Sequence, residues 1–595
     1  MRAAALSRPG RIAGGLLVLL LLAAAPLAAS SYALLILCNL GIAVILALGL
    51  NILMGYAGQV SLANAAFFGM GAYGTAVLGT TGLTFWGALP LVAVATAATG
   101  LLVGLPALRV SSHYLALATL AFVWTVQVIL VNWVSVTGGA PGLSTSRAAM
   151  ALGPFAADGA YYELVLAVTV LMLLLAAGIV RSRTGRAFTA IRDNENAAEI
   201  MGVSLARTKT TAFAVNAFYC AVAGGLQAGL VRFLDPYEFG VWPSIWHLLY
   251  IVVGGLGTVS GSVLGPLVLV ALPEALRPLA EYRELIFAFV LLLTLVYLPA
   301  GLAGLLARLM PARPEGGDPA PVPARLLTAH PRAEQGRDAL VVDGVSLSFG
   351  GVRAVQGASL RVAEGEVRAL IGPNGAGKTT FLNVLCRVYA PDAGRMSFRG
   401  RDLLRLRPHQ LAPLGVVRTF QAVRLFGAMT VLDNVLVGAH GQIRHGLLPG
   451  ALRLPGARRE EEAARQRALS LLSYVGLHGA RNARAASLPF GQQRRLELAR
   501  ALAADPALLL LDEPASGLDK AEVDELLATV RTVRRDLGVS VLVIEHDMDF
   551  VMGLADRITV LDHGAVIADG TPADIQADGR VIEAYLGAEH ALVDA

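Results

Sequence analysis

Along the first half of the chain, apolar residues come in long blocks rather than alternating with polar ones. Nine blocks cover about 12–29, 34–54, 65–78, 85–105, 114–134, 161–180, 210–231, 246–272 and 285–306. Most are long enough for a helix to cross the hydrocarbon core. From residue 340 the pattern changes to short apolar runs between charged, helix-periodic stretches, which predicts a soluble α/β domain. The expected organisation is a polytopic all-α membrane domain over 1–310, a proline-rich tether over 311–338, and a soluble α/β domain over 339–595.

Basic residues then constrain the topology. Arg181, Arg183, Arg186, Arg192, Arg207 and Lys209 make the most basic connection between blocks, which belongs on the cytoplasmic side. Arg2, Arg8 and Arg11 put the amino terminus there too, and the glycine-rich loop Gly372–Thr380, a phosphate cradle of the kind that holds ATP, puts the soluble domain there as well. Two ends on one side need an even number of crossings. The eighth block is interrupted by Gly254, Gly255, Gly257 and Gly261. A turn there, between two short spans, gives about ten crossings. The first block, with its charged start and Ala28-Ala29-Ser30 end, reads as a span or as a secretory signal.

Two polar interruptions bear on function. Asn51, Gln59, Ser61 and Asn64 lie with Gly55 and Gly58 in a stretch at membrane depth. They either line a solute path through a broken helix or pack helices together. Ala187 to Met201 mixes Phe188, Ile191, Ile200 and Met201 with Arg192, Asp193, Glu195 and Glu199. It predicts one short amphipathic helix outside the bilayer, or a solvated loop that only sets topology.

Charge sharpens the division: residues 1–310 hold 25 charged side chains and residues 311–595 hold 66. Acidic and basic residues balance in the second half, so the net +5 sits with the membrane-flanking arginines and does not indicate nucleic acid. Cys38, Cys220 and Cys386 provide neither a disulfide framework nor metal spacing.

The chemistry is concentrated in the second half. Gly372-Pro373-Asn374-Gly375-Ala376-Gly377-Lys378-Thr379-Thr380 follows a buried-strand pattern and opens a helical one, the setting a phosphate cradle needs. Its glycines let backbone N–H groups surround phosphates at a helix amino terminus. Lys378 would reach the β and γ phosphates, and Thr379 would hold Mg²⁺. The chain has three lysines against 45 arginines, so a lysine at this position is not background. Asp512, ending the run 508–511, would help hold Mg²⁺, and Glu513 would polarise the attacking water. His546, ending the run 541–544, would contact the γ phosphate. Phe349 would stack on adenine or pack in a strand core.

These residues resemble the ATP-binding-cassette ATPases over about 250 residues. In family order, Gln421 is similar to the Q-loop residue, which would join Thr379 and Asp512 at Mg²⁺ and act in catalysis with Lys378, Glu513 and His546. Leu488-Pro489-Phe490-Gly491-Gln492 resembles the signature loop and Ser516-Gly517-Leu518-Asp519 the D-loop. Where the family usually has a signature serine, this chain has Pro489, with neither hydroxyl nor N–H. The resemblance implies a paired cassette and a weaker site opposite, hence asymmetric hydrolysis in a heterodimer.

The first half resembles the permeases of branched-chain amino acid importers, through 48–72, Thr184-Gly185-Arg186, Asp193-Asn194-Glu195, Met201-Gly202 and Gly254-Gly255-Leu256-Gly257. The cassette is similar to those of the same importers. The resemblance makes Arg186, Ile191, Arg192, Asp193, Glu195, Met201 and Gly202 a coupling helix. It implies ATP and Mg²⁺ as cofactors, the bacterial inner membrane as location, and as partners a second permease, a second ATP-binding subunit, a periplasmic substrate-binding protein and the lipid bilayer. Leucine, isoleucine and valine are the expected solutes, with urea, amides or aromatic acids as the alternative. An exporter or a membrane-anchored regulatory ATPase is the remaining rival, disfavoured by the span count and the coupling segment.

Overall fold

The computed structural model describes residues 8–108, 112–147, 150–309 and 337–585. The tether, apart from 337–338, and Arg2 lie outside them. The chain forms two compact units, and neither is one continuous stretch. The first contains Met1–Arg192, Leu205–Gly317 and Gly446–Leu454; the second contains Asp193–Ser204, Asp318–His445 and Pro455–Ala595.

From residue 8 to 309 the chain is mainly helical. In order come α1 (Arg8–Ala23), α2 (Ser31–Leu50), α3 (Asn64–Thr80), α4 (Phe85–Val103), α5 (Ser112–Asn132) and the single turn α6 (Val134–Thr137). Then follow α7 (Asp158–Arg181), α8 (Arg183–Asp193), α9 (Glu195–Ile200), α10 (Leu205–Leu230), α11 (Val241–Gly254), α12 (Gly261–Ala275), α13 (Arg283–Tyr297) and α14 (Gly301–Leu309). Two short strands, β1 (Leu143–Ser144) and β2 (Phe233–Leu234), pair antiparallel. Among the described residues five helical stretches are long and apolar enough to cross a membrane: Ser31–Tyr56, Phe85–Leu108, His113–Asn132, Asp158–Arg181 and Leu205–Leu230. Leu16–Leu27, α11, α12 and Leu285–Thr294 are apolar but shorter.

Helix α10 is the centre of this unit, with 83% of its most apolar window buried and contacts to α2, α3 and α4. Small residues let the backbones meet. A methyl group at Gly71 would overlap the Ala221 backbone, and one at Gly224 the Phe68 carbonyl. The eighth apolar block is broken at its glycines. α11 ends at Gly254, Gly255 and Gly257 take positive φ, and α12 returns so closely that a methyl group at Gly265 would strike the Tyr250 carbonyl. The ninth block, expected as one span, is also broken: α13 stops at Tyr297, before Pro299, and α14 restarts at Gly301.

Another correction concerns 187–201, expected as one helix. The chain divides at Asn194, whose backbone is extended (φ −161°, ψ 106°) and whose side chain accepts the Ala197 N–H at 2.9 Å. An amino-terminal cap of this kind starts a new helix rather than continuing the old one. α8 therefore ends at Asp193 and α9 begins at Glu195.

The second unit is α/β. An antiparallel sheet is formed by β3 (Asp338–Phe349), β4 (Val352–Ala363), β6 (Ala393–Phe398) and β7 (Arg401–Asp402), in the order β4-β3-β6-β7. A second sheet contains β5 (Val367–Ile371), β8 (Val416–Arg418), β9 (Leu508–Asp512), β10 (Ser540–Ile544), β11 (Arg557–Asp562) and β12 (Ala565–Gly570). Its order is β12-β11-β5-β10-β9-β8, parallel except for β12. Every residue of β5, β9 and β10 is buried, as expected of a sheet covered on both faces; β9 is apolar up to Asp512 and β10 after Ser540, while β5 buries Arg368 within its apolar run by pairing it with Glu366 and Asp569. The helices of this unit are α15 (Lys378–Leu385), α16 (Leu411–Leu414), α17 (Val431–Gly438), α19 (Pro455–Tyr474), α20 (Phe490–Ala503), α21 (Lys520–Leu537), α22 (Met548–Leu554) and α23 (Pro572–Ala577). The helix between α17 and α19, α18 (Leu447–Ala451), belongs to the first unit. There Ala451 joins the core, and a methyl group at Gly178 of α7 would overlap its carbonyl.

Candidate functional site

The loop 372–380 joins β5 to α15, at the carboxyl ends of the parallel strands. Gly375 and Gly377 take φ of 83° and 94°, and methyl groups at Gly372 and Gly377 would overlap the Leu561 and Ala354 carbonyls. Glycine is therefore required at both contacts. Gly377 caps α15 without a side-chain acceptor, leaving the helix's first N–H groups to face an anion. Lys378 donates to the carbonyls of Gly372 (2.6 Å) and Pro373 (2.9 Å), so its ammonium lies across the loop. Burial lowers its pKa, an effect the Glu513 carboxylate opposes. An arriving phosphate would supply the counter-charge that burial demands.

Two neighbouring strands supply the carboxylates. Asp512, at the end of β9, is 1% exposed; its Oδ2 accepts from Arg418 at 2.8 Å, while its buried Oδ1 has no hydrogen-bond partner. A held carboxylate with one unsatisfied oxygen beside a phosphate loop fits a hard divalent cation. Glu513 takes φ 45°, a left-handed conformation costly for a side chain of its size. Its N–H donates to Ile544 at 2.8 Å, and its Oε2 accepts from Gln421 Nε2 at 2.9 Å and lies 3.9 Å from His546 Nδ1. The three residues thus meet from three separate segments.

Several supporting residues were not singled out by sequence. Arg418, on β8, joins Asn383 Oδ1 (2.6 Å) to Asp512. Arg494, one turn into α20, donates to the carbonyls of Phe420 (2.9 Å) and Gln421 (2.5 Å). Glu545, 1% exposed, accepts the N–H groups of Ala515 (2.7 Å) and His546 (2.9 Å). Their burial, which sequence alone does not reveal, marks them out.

The remaining expected residues fall as follows. Thr379 is exposed at the mouth of α15, beside Thr380. Phe349 is 46% exposed at the end of β3, edge-on to Tyr389 at 5.2 Å, and not in a strand core. Pro489 caps α20 with no side-chain hydrogen bond, next to Leu488, Phe490, Gly491 and Gln492. Asp519 closes the stretch begun by Ser516, Gly517 and Leu518 and forms a capping box with Glu522 on α21. The segment 193–204 is docked within this unit. Asp193 Oδ2 accepts the Ala428 N–H at 3.0 Å, on the segment that follows Gln421. Glu199, whose pKa burial and then Glu195 raise, lies 3.9 Å from His409. Glu195, Met201 and Gly202 travel with this segment, whereas Arg186, Ile191 and Arg192 stay in the first unit.

A glycine-rich loop opening a helix at the ends of parallel strands, a buried aspartate with one oxygen unsatisfied and a glutamate held beside a glutamine and a histidine, joined on one chain to a bundle of membrane helices, fit an ATP-driven membrane transporter of the ATP-binding-cassette class. Residues 32–296 match a family described as the branched-chain amino acid transport system permease component, residues 355–516 the ABC transporter family, and residues 565–591 the branched-chain amino acid ATP-binding cassette transporter family. The high-affinity branched-chain amino acid transport ATP-binding protein LivG of Salmonella typhimurium is 46% identical over 248 residues, which are 42% of this chain and 97% of that one. BraF of Pseudomonas aeruginosa, with the same description, is 45% identical over 42% of this chain and 98% of its own. A solved nucleotide-free ATP-binding cassette of an ABC transporter is 30% identical over 42% of this chain and 98% of that one, with a TM-score of 0.37. The chain belongs to the branched-chain amino acid ATP-binding-cassette transporter family, with permease and cassette fused. It is a multi-pass membrane protein with a cytoplasmic ATPase domain, and ATP hydrolysis is coupled to transport.

Proposed function

We propose that this chain is one half of an importer that takes branched-chain amino acids across the bacterial inner membrane. One observation carries the reading: the family matches on either side of the tether, at 32–296 and 565–591, name the same solute class. The proposed domain limits are 1–310, 311–338 and 339–595. About ten crossings, with α11 and α12 as two short ones, keep both ends cytoplasmic.

In the proposed cycle, the 372–380 loop and Lys378 bind the triphosphate and Phe349 stacks on the adenine. Mg²⁺ would be held by Asp512, Thr379 and Gln421, neutralising phosphate charge. Glu513 orients the attacking water, and His546 contacts the γ phosphate. The site is completed by the signature and D-loops of a second ATP-binding subunit, while this chain's Leu488–Gln492 and Ser516–Asp519 serve the opposite site. Closure of the pair moves the coupling segment, a second permease lines the path, and a periplasmic binding protein delivers the solute.

Pro489 offers no hydroxyl to a γ phosphate, so the two sites work unequally. Replacing the catalytic glutamate in each cassette separately should abolish uptake in one case and only reduce it in the other; equal losses would refute the asymmetry. The solute is tested by purifying the chain with its co-isolated subunits and measuring uptake into liposomes supplied with the binding protein. Leucine, isoleucine and valine are expected to compete with one another. Competition by urea or aromatic acids instead would overturn the assignment.

A further inference from the structure

At one end of α2 the helix widens into a single π-helical turn, Asn51–Tyr56. Such turns are rare and are frequently found at functional sites. Asn51, 1% exposed, aims its whole amide at the glycine-rich turn between α11 and α12. Its Nδ2 donates to the Thr258 carbonyl (2.7 Å) and Ser262 Oγ (2.8 Å), and its Oδ1 accepts the Gly257 N–H (2.8 Å). No room remains for another side chain, since a methyl group at Gly55 would overlap both Asn51 Oδ1 and the Gly257 nitrogen.

A second group reaches the same place from α8. The Arg192 guanidinium donates to the Gly55 carbonyl at 2.6 Å. A methyl group at Gly257 would lie 3.0 Å from Arg192 Nη1, and one at Gly58 2.7 Å from Arg192 Cγ, so the arginine fills a notch built of three glycines. Arg192 is the last residue of its stretch of the first unit, and Asp193, its neighbour, opens the segment that belongs to the second. Asp193 is itself held there through the Ala428 N–H.

We propose that Arg192 and Asn51 are positioning residues forming a latch, at the carboxyl end of α8, on the inner turns of the permease. While Arg192 holds the Gly55 carbonyl, the π turn and the 254–261 turn stay locked together by Asn51. Displacement of 193–204 withdraws Arg192 and frees the two turns to part. The hydrogen bond is charge-assisted, so its loss shifts the locked-to-open equilibrium about ten- to a hundredfold. The inference rests on the importer reading for its direction of transport.

The test uses the assembled complex in proteoliposomes and reads solute taken up per ATP hydrolysed. R192A should keep ATP turnover within about twofold of wild type while uptake per ATP falls about tenfold or more. R192K, which preserves a donor without the fork, should recover part of the ratio, and N51D, isosteric but with the donors lost, should resemble R192A. An unchanged ratio in R192A and N51D would overturn the latch, as would a parallel fall of turnover and uptake in all three variants. Absence of uptake by the wild-type complex would instead refute the importer reading beneath it.

Discussion

Glu513 stands in a left-handed conformation because its surroundings leave it no other. Its N–H is held by Ile544, its carbonyl accepts the Ser516 N–H at 3.2 Å, and its carboxylate meets Gln421. Glu513→Gln preserves that shape and a hydrogen-bonding end but removes the carboxylate proposed to act as the base. Phosphate release should fall by a factor on the order of 10²–10⁴, with ATP binding retained in a filter or fluorescence assay. Arg418 and Asp512 form a pair 5% and 1% exposed. Arg418→Met leaves a carboxylate buried without its cation, so the cassette should lose about 3–5 kcal/mol, read as earlier thermal unfolding of the solubilised protein. The contrast between these residues shows what sequence discloses. Lys378, Asp512, Glu513 and His546 are readable because phosphate chemistry fixes residue type and spacing. Arg418 and Arg494 are two among 45 arginines, and only burial and partners distinguish them.

Secondary elements were legible where one physical signal dominates. Buried strands β9 and β10 read directly from unbroken apolar runs, β5 from an apolar run interrupted only by Arg368, and the break between α11 and α12 from its glycines. The division of 187–201 was not, because Asn194 among helix-compatible residues looks like an ordinary polar position until its backbone is seen extended. Asn194→Ala should cost α9 about 0.5–2 kcal/mol, measurable as faster amide exchange at 195–200. The α11–α12 pair depends on backbone contact. Gly265→Leu should destabilise it by about 1–3 kcal/mol and lower the yield of folded protein in detergent; retention of full yield would mean the pair is not a tight hairpin.

On the scale of the whole molecule, the two compact units do not follow the order of the chain. Residues 193–204 sit in the second unit and residues 446–454 in the first. No local periodicity announces such an exchange, since each segment is short and satisfies its apolar face far away in sequence. Gly178→Leu should expel α18 from its seat on α7, raising protease cleavage within 446–454. Synthesis adds a temporal consequence. The helices through α14 are made and can enter the bilayer early, yet the piece that completes their packing is still unmade. Ribosomes add about 5–20 residues per second, so the membrane unit waits roughly 7–30 s for residue 454 after residue 309 has been joined. During that interval the seat on α7 is bare, and a nascent chain stopped short of α18 presents an unfinished membrane unit to the cell's quality-control proteases.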